Sequence, residues 1–235
     1  MTPFVAEIVG TALLLLLGDG VVANVVLPRT CGHAGGWIVI TFGWAMAVFV
    51  AVFAVAGISG AHLNPAVTLG LALAGKFAWA SVPAYVAAQM IGAFVGATLV
   101  WLMYRPHLDL CDDPASQRAV FCTAPSIRSP LHNVTVEAIA GFVLVFGVLR
   151  IEGPATRLGS VDALPVALLV LAIGLSLGGP TGYATNPARD LAPRLAHALL
   201  PIRGKGPSDW GYAWVPVIGP LLGAALAAGV VQELL

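Results

Sequence analysis

Six long apolar runs alternate with short polar segments along the chain. A helix needs about 20 apolar residues to cross the hydrocarbon core of a bilayer, and most of the runs approach that length, although the fifth is short. The first run contains Glu7, Asp19 and Asn24 and has no basic leader, so it fits a permanent span better than a cleaved signal peptide. The pattern predicts six transmembrane helices, over residues 4–27, 37–57, 80–103, 134–149, 163–178 and 213–235.

Two related motifs interrupt the apolar pattern: SGAHLNPAVT at residues 59–68 and GYATNPARDL at residues 182–191. Proline suits the first position of a helix, and the asparagine before it is a preferred N-cap. The apolar segments that follow are too short to span, so each motif predicts a half-helix that enters the membrane and stops. Extended backbone at membrane depth is tolerated where it lines a water-filled cavity. The motifs are therefore expected to line a polar path.

The two halves of the chain resemble each other. Each begins with a span that carries one early glutamate, Glu7 or Glu137, followed by a second span, an Asn-Pro-Ala motif and a last span. Three spans per repeat place the second half upside down relative to the first, so Asn64 and Asn186 are expected to meet near the midplane. We predict a single domain over residues 1–235, with a first repeat, a connecting loop and a second repeat at residues 1–103, 104–132 and 133–235.

The predicted meeting of two half-helices has an electrostatic consequence. Each helix N-terminus carries about half an elementary positive charge, so two of them would make the centre of the path positive. The amides of Asn64 and Asn186 can direct N–H donors to the same place. This combination favours neutral, hydrogen-bonding solutes and penalises cations, including hydronium. The simpler alternative is that each asparagine only caps its own helix, but their symmetric positions favour a channel.

Composition supports a membrane location. Hydrophobic residues make up 59% of the chain and charged residues 9%, with a mean hydropathy of +0.92, whereas soluble domains carry about a quarter charged residues. The net charge is zero, which gives no support for a nucleic-acid partner. Cys31, Cys111 and Cys122 lack a metal-binding spacing, and neither a metal nor a cofactor is expected. Cys111 and Cys122 could form a disulfide, although free thiols are favoured.

The motifs SGAHLNPAVT and TNPARD, the two early glutamates and the Gly-rich sixth span resemble those of the major intrinsic proteins, the aquaporins and aquaglyceroporins. The resemblance implies an all-α membrane protein of six transmembrane helices and two re-entrant half-helices in an inverted repeat. It also implies one pore per subunit of a homotetramer in the cell membrane. Asn64 and Asn186 would be the central amides, and backbone carbonyls along the path would belong to Gly60, Ala61, His62, Thr181, Gly182 and Tyr183.

The same resemblance places both termini in the cytoplasm. The charge distribution does not support this orientation, because the loops that it places outside carry more lysine and arginine than those that it places inside. The resemblance is the stronger guide, since it covers nearly the whole chain.

The resemblance also implies a narrow ring of four residues, Trp44, Gly174, Tyr183 and Arg189. A histidine at the position of Gly174 is typical of water-selective members, while glycine leaves space. Trp44 and Tyr183 would form an apolar corner for the carbon chain of a polyol, and the Arg189 guanidinium opposite could donate to its hydroxyls. We therefore expect a passive channel for glycerol and similar small neutral solutes, with some water passing and with ions and protons excluded.

Three alternatives stay open on the sequence. A channel mainly for water has the same motifs. A proton-coupled secondary transporter also uses inverted repeats and broken helices, but it needs a titratable group such as Glu7 or Glu137 at the solute site. We expect these glutamates instead to anchor the loop backbones. An enzyme is disfavoured, because Ser59 and His62 lack a GxSxG or HExxH context, and His62 is expected to be a buried histidine with its carbonyl on the path.

Overall fold

The computed structural model describes residues 1–151 and 159–234. Arg157, which contributes to the charge distribution above, and residue 235, the end of the sixth predicted span, lie outside them. The described residues contain two short 3-10 helices, Trp79–Ser81 and Gly159–Ala163, and no strand. Their α-helices are α1 Pro3–Val26, α2 Trp37–Ser59, α3 Pro65–Leu73, α4 Val82–Asp109, α5 Pro114–Ala119, α6 Pro130–Arg150, α7 Leu164–Leu177, α8 Pro187–Leu199 and α9 Val215–Glu233.

Six helices correspond to the six predicted spans, apart from small differences at their ends. Within the described residues, α1, α2, α4, α6 and α9 are long and apolar enough to cross a membrane. α7 has only 14 residues, but the 3-10 helix at Gly159–Ala163 leads directly into it. α3 and α8 are the half-helices, with 9 and 13 residues. The predicted fold class, an all-α membrane protein with six transmembrane helices and two half-helices, is confirmed.

The segment between the two halves holds more helix than predicted. α4 continues to Asp109 and α6 begins at Pro130, so both helices extend into the expected connecting loop. Between them, α5 starts after Asp113, whose carboxylate accepts hydrogen bonds from the N–H groups of Ala115 and Ser116. The Ser116 hydroxyl and these N–H groups hold the pKa of Asp113 below its usual range. An aspartate N-cap followed by proline is a helix start, and the sequence DDPASQ carries that signal.

The helices pack in the same order in both halves. α1 lies against α2 and α4, and α6 lies against α7 and α9. The helices approach closely at glycines: a Cβ at Gly96 would lie 2.5 Å from the carbonyl oxygen of Ala12, and one at Gly223 would lie 2.2 Å from that of Ala138. Small residues allow helix backbones in membranes to approach in this way.

Each half-helix packs most extensively against the last helix of the other half, α3 against α9 and α8 against α4. This exchange ties the two halves together around the centre, where α2 also contacts α7. Large apolar side chains cover the outside of the bundle, as expected of surfaces that face lipid; examples are Phe42, Phe53, Ile91, Ile139 and Leu222.

The cysteines are free thiols, which is the favoured of the two alternatives. Cys111 and Cys122 are buried in the segment that connects the halves, and Cys31 is exposed. Burial raises the pKa of the Cys122 thiol to about 12, so this thiol stays protonated at neutral pH.

Candidate functional site

Two loops with the same backbone conformation lead into the half-helices, at residues 60–64 and 182–186. The first, second and fourth residues of each loop have positive φ angles. These angles are 81°, 51° and 53° in the first loop and 80°, 40° and 48° in the second, at Gly60, Ala61, Leu63, Gly182, Tyr183 and Thr185. Such a conformation costs a residue with a Cβ about 1–3 kcal/mol. Contacts from outside the loops must therefore hold them.

Glu7 of α1 contacts the first loop. Its carboxylate is fully buried and accepts hydrogen bonds from the N–H groups of His62 at 3.0 Å and Leu63 at 2.8 Å. The Ser59 hydroxyl donates to it at 2.7 Å, and the Gln89 amide on α4 donates at 2.8 Å. A buried carboxylate is costly unless its oxygens are paired. Here they are paired with side-chain donors and with loop N–H groups that make no hydrogen bond within a helix. These bonds offset the strain of the loop.

Glu137 of α6 occupies the equivalent place in the second half. It is fully buried and accepts hydrogen bonds from the N–H groups of Ala184 at 3.0 Å and Thr185 at 2.9 Å. The Thr181 hydroxyl donates to it at 2.7 Å, as the Ser59 hydroxyl donates to Glu7. Both glutamates thus contact the same positions of their loops. This geometry is that of backbone anchors.

Asn64 and Asn186 cap their helices and also connect the two loops. The side-chain oxygen of Asn64 accepts from the N–H of Ala66 at 2.8 Å, and that of Asn186 accepts from the N–H of Ala188 at 3.0 Å. Nδ2 of Asn64 donates to the carbonyl oxygen of Thr185, and Nδ2 of Asn186 donates to that of Leu63, both at 2.9 Å. Capping is therefore only part of what these amides do.

A cavity of about 190 Å³ lies where the two half-helices meet. Both asparagines line it, and so do most of the residues whose carbonyls were expected on the path: Gly60, Ala61, His62, Gly182 and Tyr183.

Thr181 departs from that expectation. It is fully buried and is not among the residues that line the cavity, and its hydroxyl donates to Glu137. The second loop reaches the cavity further along, at Ala184 and Thr185, and the first loop also contributes Leu63. The lining thus starts one residue later in the second loop than expected.

The narrow ring expected from the sequence consists of Trp44, Gly174, Tyr183 and Arg189. All of them except Gly174 line the same cavity. Cζ of Arg189 lies 4.1 Å from the centroid of the Trp44 ring, so the guanidinium stacks on the indole. This differs from the expectation that Arg189 would face the aromatic corner. Its Nη1 donates to the Phe121 carbonyl oxygen at 3.3 Å and lies 3.4 Å from Oδ1 of Asp19. These contacts hold the guanidinium at the wall.

Gly174 is buried under the ring of Tyr183. A Cβ at this position would lie 2.8 Å from Cζ of Tyr183 and 2.9 Å from its hydroxyl oxygen. Gly174 therefore acts through the space that it leaves for Tyr183. Trp37, which the sequence did not indicate, supports both residues: its Nε1 donates to the Gly174 carbonyl oxygen at 2.9 Å, and its ring meets that of Tyr183 edge-on at 5.8 Å between centroids.

Arg189 and its neighbour Asp190 point apart, as expected for adjacent residues of a helix. Asp190 pairs instead with Arg194 at 2.7 Å, and both side chains are fully buried. Asp190 also accepts from the Thr123 N–H at 2.7 Å, and Arg194 donates to the Ser208 carbonyl oxygen at 2.7 Å. This network fixes α8 to the loop before α6, through Thr123, and to the loop after α8, through Ser208.

His62 is half-buried in an aromatic cluster. Its ring lies 4.6 Å from that of Phe77 and 4.8 Å from that of Tyr85, and its Nδ1 lies 3.1 Å from the Thr68 hydroxyl. Among residues 1–151 and 159–234, no group of three or more His, Cys, Asp and Glu side chains is placed to hold a metal ion.

These features define a helical membrane protein in which two capped half-helices meet at an internal cavity with a polar strip. The chain belongs to the major intrinsic protein family, whose model matches residues 1–231.

Relatives and a solved structure agree with this assignment. The chain is 56% identical over 230 residues to the probable glycerol uptake facilitator protein of Thermotoga maritima, covering 98% of each. It is 54% identical over 225 residues to the glycerol uptake facilitator protein of Bacillus subtilis, covering 96% of this chain and 82% of the relative. The X-ray structure of the aquaglyceroporin from Plasmodium falciparum superposes with a TM-score of 0.85 at 32% identity, over 98% of this chain and 94% of that one.

Replacing Glu137 by glutamine is expected to destabilise the fold. The side-chain NH₂ would face backbone N–H donors, and the negative charge would be lost. Hydrogen bonds to charged groups contribute about 1.5–3 kcal/mol each, so the free energy of unfolding should fall by about 2–4 kcal/mol. Thermal unfolding of the purified protein in detergent measures this as a lower midpoint.

The exposed Glu233 at the end of α9 offers a matched control. Glu233→Gln should leave the midpoint unchanged. A Glu137→Gln protein that unfolds at the unmodified midpoint would contradict the anchoring of the second loop by this carboxylate.

Proposed function

We propose that the protein is a passive channel for glycerol and other small neutral solutes, such as other polyols and urea, and that it also conducts water. The observation that carries the proposal is the meeting of the two asparagine-capped half-helices at one cavity. Each amide has two N–H donors, and the bond to the opposite loop uses one of them. The other can bind a solute oxygen, and the loop carbonyls can accept from its hydroxyl hydrogens.

The rest of the cavity wall is apolar and matches the carbon chain of a polyol. α2 contributes Val48 and Val52, α6 contributes Leu144 and Val148, and α7 contributes Val170. A polyol presents hydroxyls along one side of a short hydrocarbon chain, so an apolar wall opposite a polar strip suits both of its sides. Sites for small molecules are commonly apolar with a few well-placed polar groups.

Ion exclusion follows from the same arrangement. Both half-helices direct their positive N-terminal ends to the cavity, which disfavours cations where they have lost most of their hydration. Glu7 and Glu137 are fully buried and bonded to backbone donors, and neither lines the cavity. This supports a passive channel over a proton-coupled transporter, because neither of these two carboxylates reaches the solute.

The narrow ring of four residues supports glycerol over water as the preferred solute. Gly174 leaves room for Tyr183, so that Trp44 and Tyr183 both line the cavity and Arg189 lies against Trp44. We propose that Trp44, Gly174, Tyr183 and Arg189 form the selectivity filter, with Asn64 and Asn186 at the pore centre and Glu7 and Glu137 as loop anchors. The names of the two bacterial relatives, glycerol uptake facilitators, point to the same solute.

We further propose how the protein is arranged in its membrane. It is a multi-pass membrane protein, and we expect a homotetramer with one pore per subunit and both termini in the cytoplasm. Residues 1–103 and 133–235 would be the inverted repeats of one channel domain, joined by residues 104–132. The equivalent packing of α1, α2 and α4 and of α6, α7 and α9 supports this division.

Proteoliposomes provide the test of glycerol conduction. Stopped-flow light scattering after a glycerol gradient is applied should show faster glycerol entry into protein-containing vesicles than into empty ones. Glycerol permeability equal to that of empty vesicles would overturn the proposed solute.

Two neighbouring positions on α2 give matched variants for this measurement. Val52 lines the cavity, whereas Phe53 is 45% exposed on the outside. Val52→Trp should therefore block glycerol entry by filling the cavity, and Phe53→Trp should leave it unchanged.

Gly174→Ala should reduce glycerol permeability more than water permeability. The added methyl group would lie 2.8 Å from Cζ of Tyr183, so the ring must move toward the cavity and narrow it. We expect the ratio of glycerol to water permeability to fall severalfold. Gly229→Ala on α9 is the control, since a Cβ there has no neighbour within 4 Å. An unchanged ratio in Gly174→Ala would show that Tyr183 does not limit the width of the filter.

A further inference from the structure

Asp19 is a buried carboxylate to which the proposed function gives no role. It lies within the apolar helix α1, is fully buried and does not line the cavity. Charged side chains inside membrane proteins are costly and are usually paired. The partner here is the filter arginine: Oδ1 of Asp19 lies 3.4 Å from Nη1 of Arg189.

The carboxylate depends on that guanidinium. Its second oxygen, Oδ2, is buried and has no hydrogen-bond partner among the described residues. Asp190 cannot balance Arg189 instead, because its oxygens are already engaged by Arg194 and Thr123. Asp19 is therefore the carboxylate that offsets the charge of the filter arginine.

The same turn of α1 also supports Trp44. A Cβ at Gly18 would lie 2.2 Å from Cζ3 of the Trp44 indole. The indole can therefore pack directly against the helix backbone, since residue 18 has no side chain. The guanidinium that stacks on this indole is held by Asp19 and by the Phe121 carbonyl. Two adjacent residues of α1 thus position two members of the filter.

We propose that Asp19 is a specificity-determining positioning residue: its pairing with Arg189 holds the guanidinium against Trp44 at the cavity wall and keeps the filter wide enough for a polyol. The inference rests on the proposed function, because it concerns the choice between glycerol and water. Without the carboxylate, the wall contacts that Arg189 keeps among the described residues are the neutral Phe121 carbonyl and the indole face. The guanidinium is then free to extend into the path, where it obstructs glycerol more than the smaller water molecule.

Asp19→Asn tests this with little change of shape. Charge-assisted hydrogen bonds are about twice as strong as neutral ones, which corresponds to about a fivefold smaller equilibrium constant between the wall-bound and the extended guanidinium. The ratio of glycerol to water permeability in proteoliposomes should therefore fall, by up to about fivefold. A variant that only folds less well loses both permeabilities in proportion and keeps the ratio. An unchanged ratio overturns the proposal.

Thr11→Val is the matched control. Thr11 lies two turns earlier on α1, is fully buried, and its hydroxyl has no hydrogen-bond partner among the described residues. Removing this polar group should leave the ratio unchanged. A ratio that falls as far as in Asp19→Asn overturns a specific role for Asp19.

A double variant tests whether Asp19 acts through Arg189. In an Arg189→Ala background, Asp19→Asn should have no further effect on the ratio, and a further fall as large as that of Asp19→Asn alone overturns the proposal. If Asp19→Asn alone does not fold, the double variant should fold, because it leaves no unpaired charge; failure of both to fold also overturns it.

One outcome concerns the proposed function separately. Glycerol permeability of the unmodified protein equal to that of empty vesicles overturns glycerol conduction, and the structure of the Asp19→Asn protein then decides the positioning role. A guanidinium that has left the Trp44 ring supports the proposal, and one that stays 4.1 Å from its centroid, as in the unmodified protein, overturns it.

Discussion

The structure depends on how two strained loops satisfy their backbone groups inside a membrane. Hydrocarbon offers no hydrogen-bond partners, so every N–H that a helix does not use must find an acceptor within the protein. Glu7 and Glu137 provide those acceptors from outside the loops, at the cost of burying two carboxylates. Because the N–H groups are satisfied on that side, the loop backbone can line the cavity on the other. The conformation of both loops, and with it the loop lining of the cavity, depends on these two carboxylates.

The two halves complete each other rather than form two separate sites. Each asparagine caps its own half-helix and donates to the loop of the other half. Each half-helix also packs against the last helix of the other half. One repeat alone would therefore lack the opposing loop and part of the wall, and the duplication of the sequence is needed to build a single site.

The sequence predicted the features that depend on local chemistry and on the repeat. The Asn-Pro start of each half-helix and the six spans are local patterns, and the meeting of Asn64 and Asn186 at one cavity follows from symmetry. The sequence did not predict contacts that bring distant residues together without a repeated pattern. Trp37 bonds to a residue 137 positions away, and Asp19 pairs with one 170 positions away. Thr181 was expected on the path, but the alignment of Asn64 with Asn186 places it opposite Ser59, and its hydroxyl donates to Glu137 as that of Ser59 donates to Glu7.

In the proposed function, solute passes a neutral, hydrogen-bonding path without a coupled proton. The most direct test measures glycerol entry into proteoliposomes that contain a pH-sensitive dye, over a wide range of glycerol concentration and with pH gradients of either sign. A passive channel predicts entry proportional to the glycerol gradient, independent of the pH gradient and without a change in the dye signal. Entry that saturates, that responds to the direction of the pH gradient and that carries protons into the vesicles would contradict it.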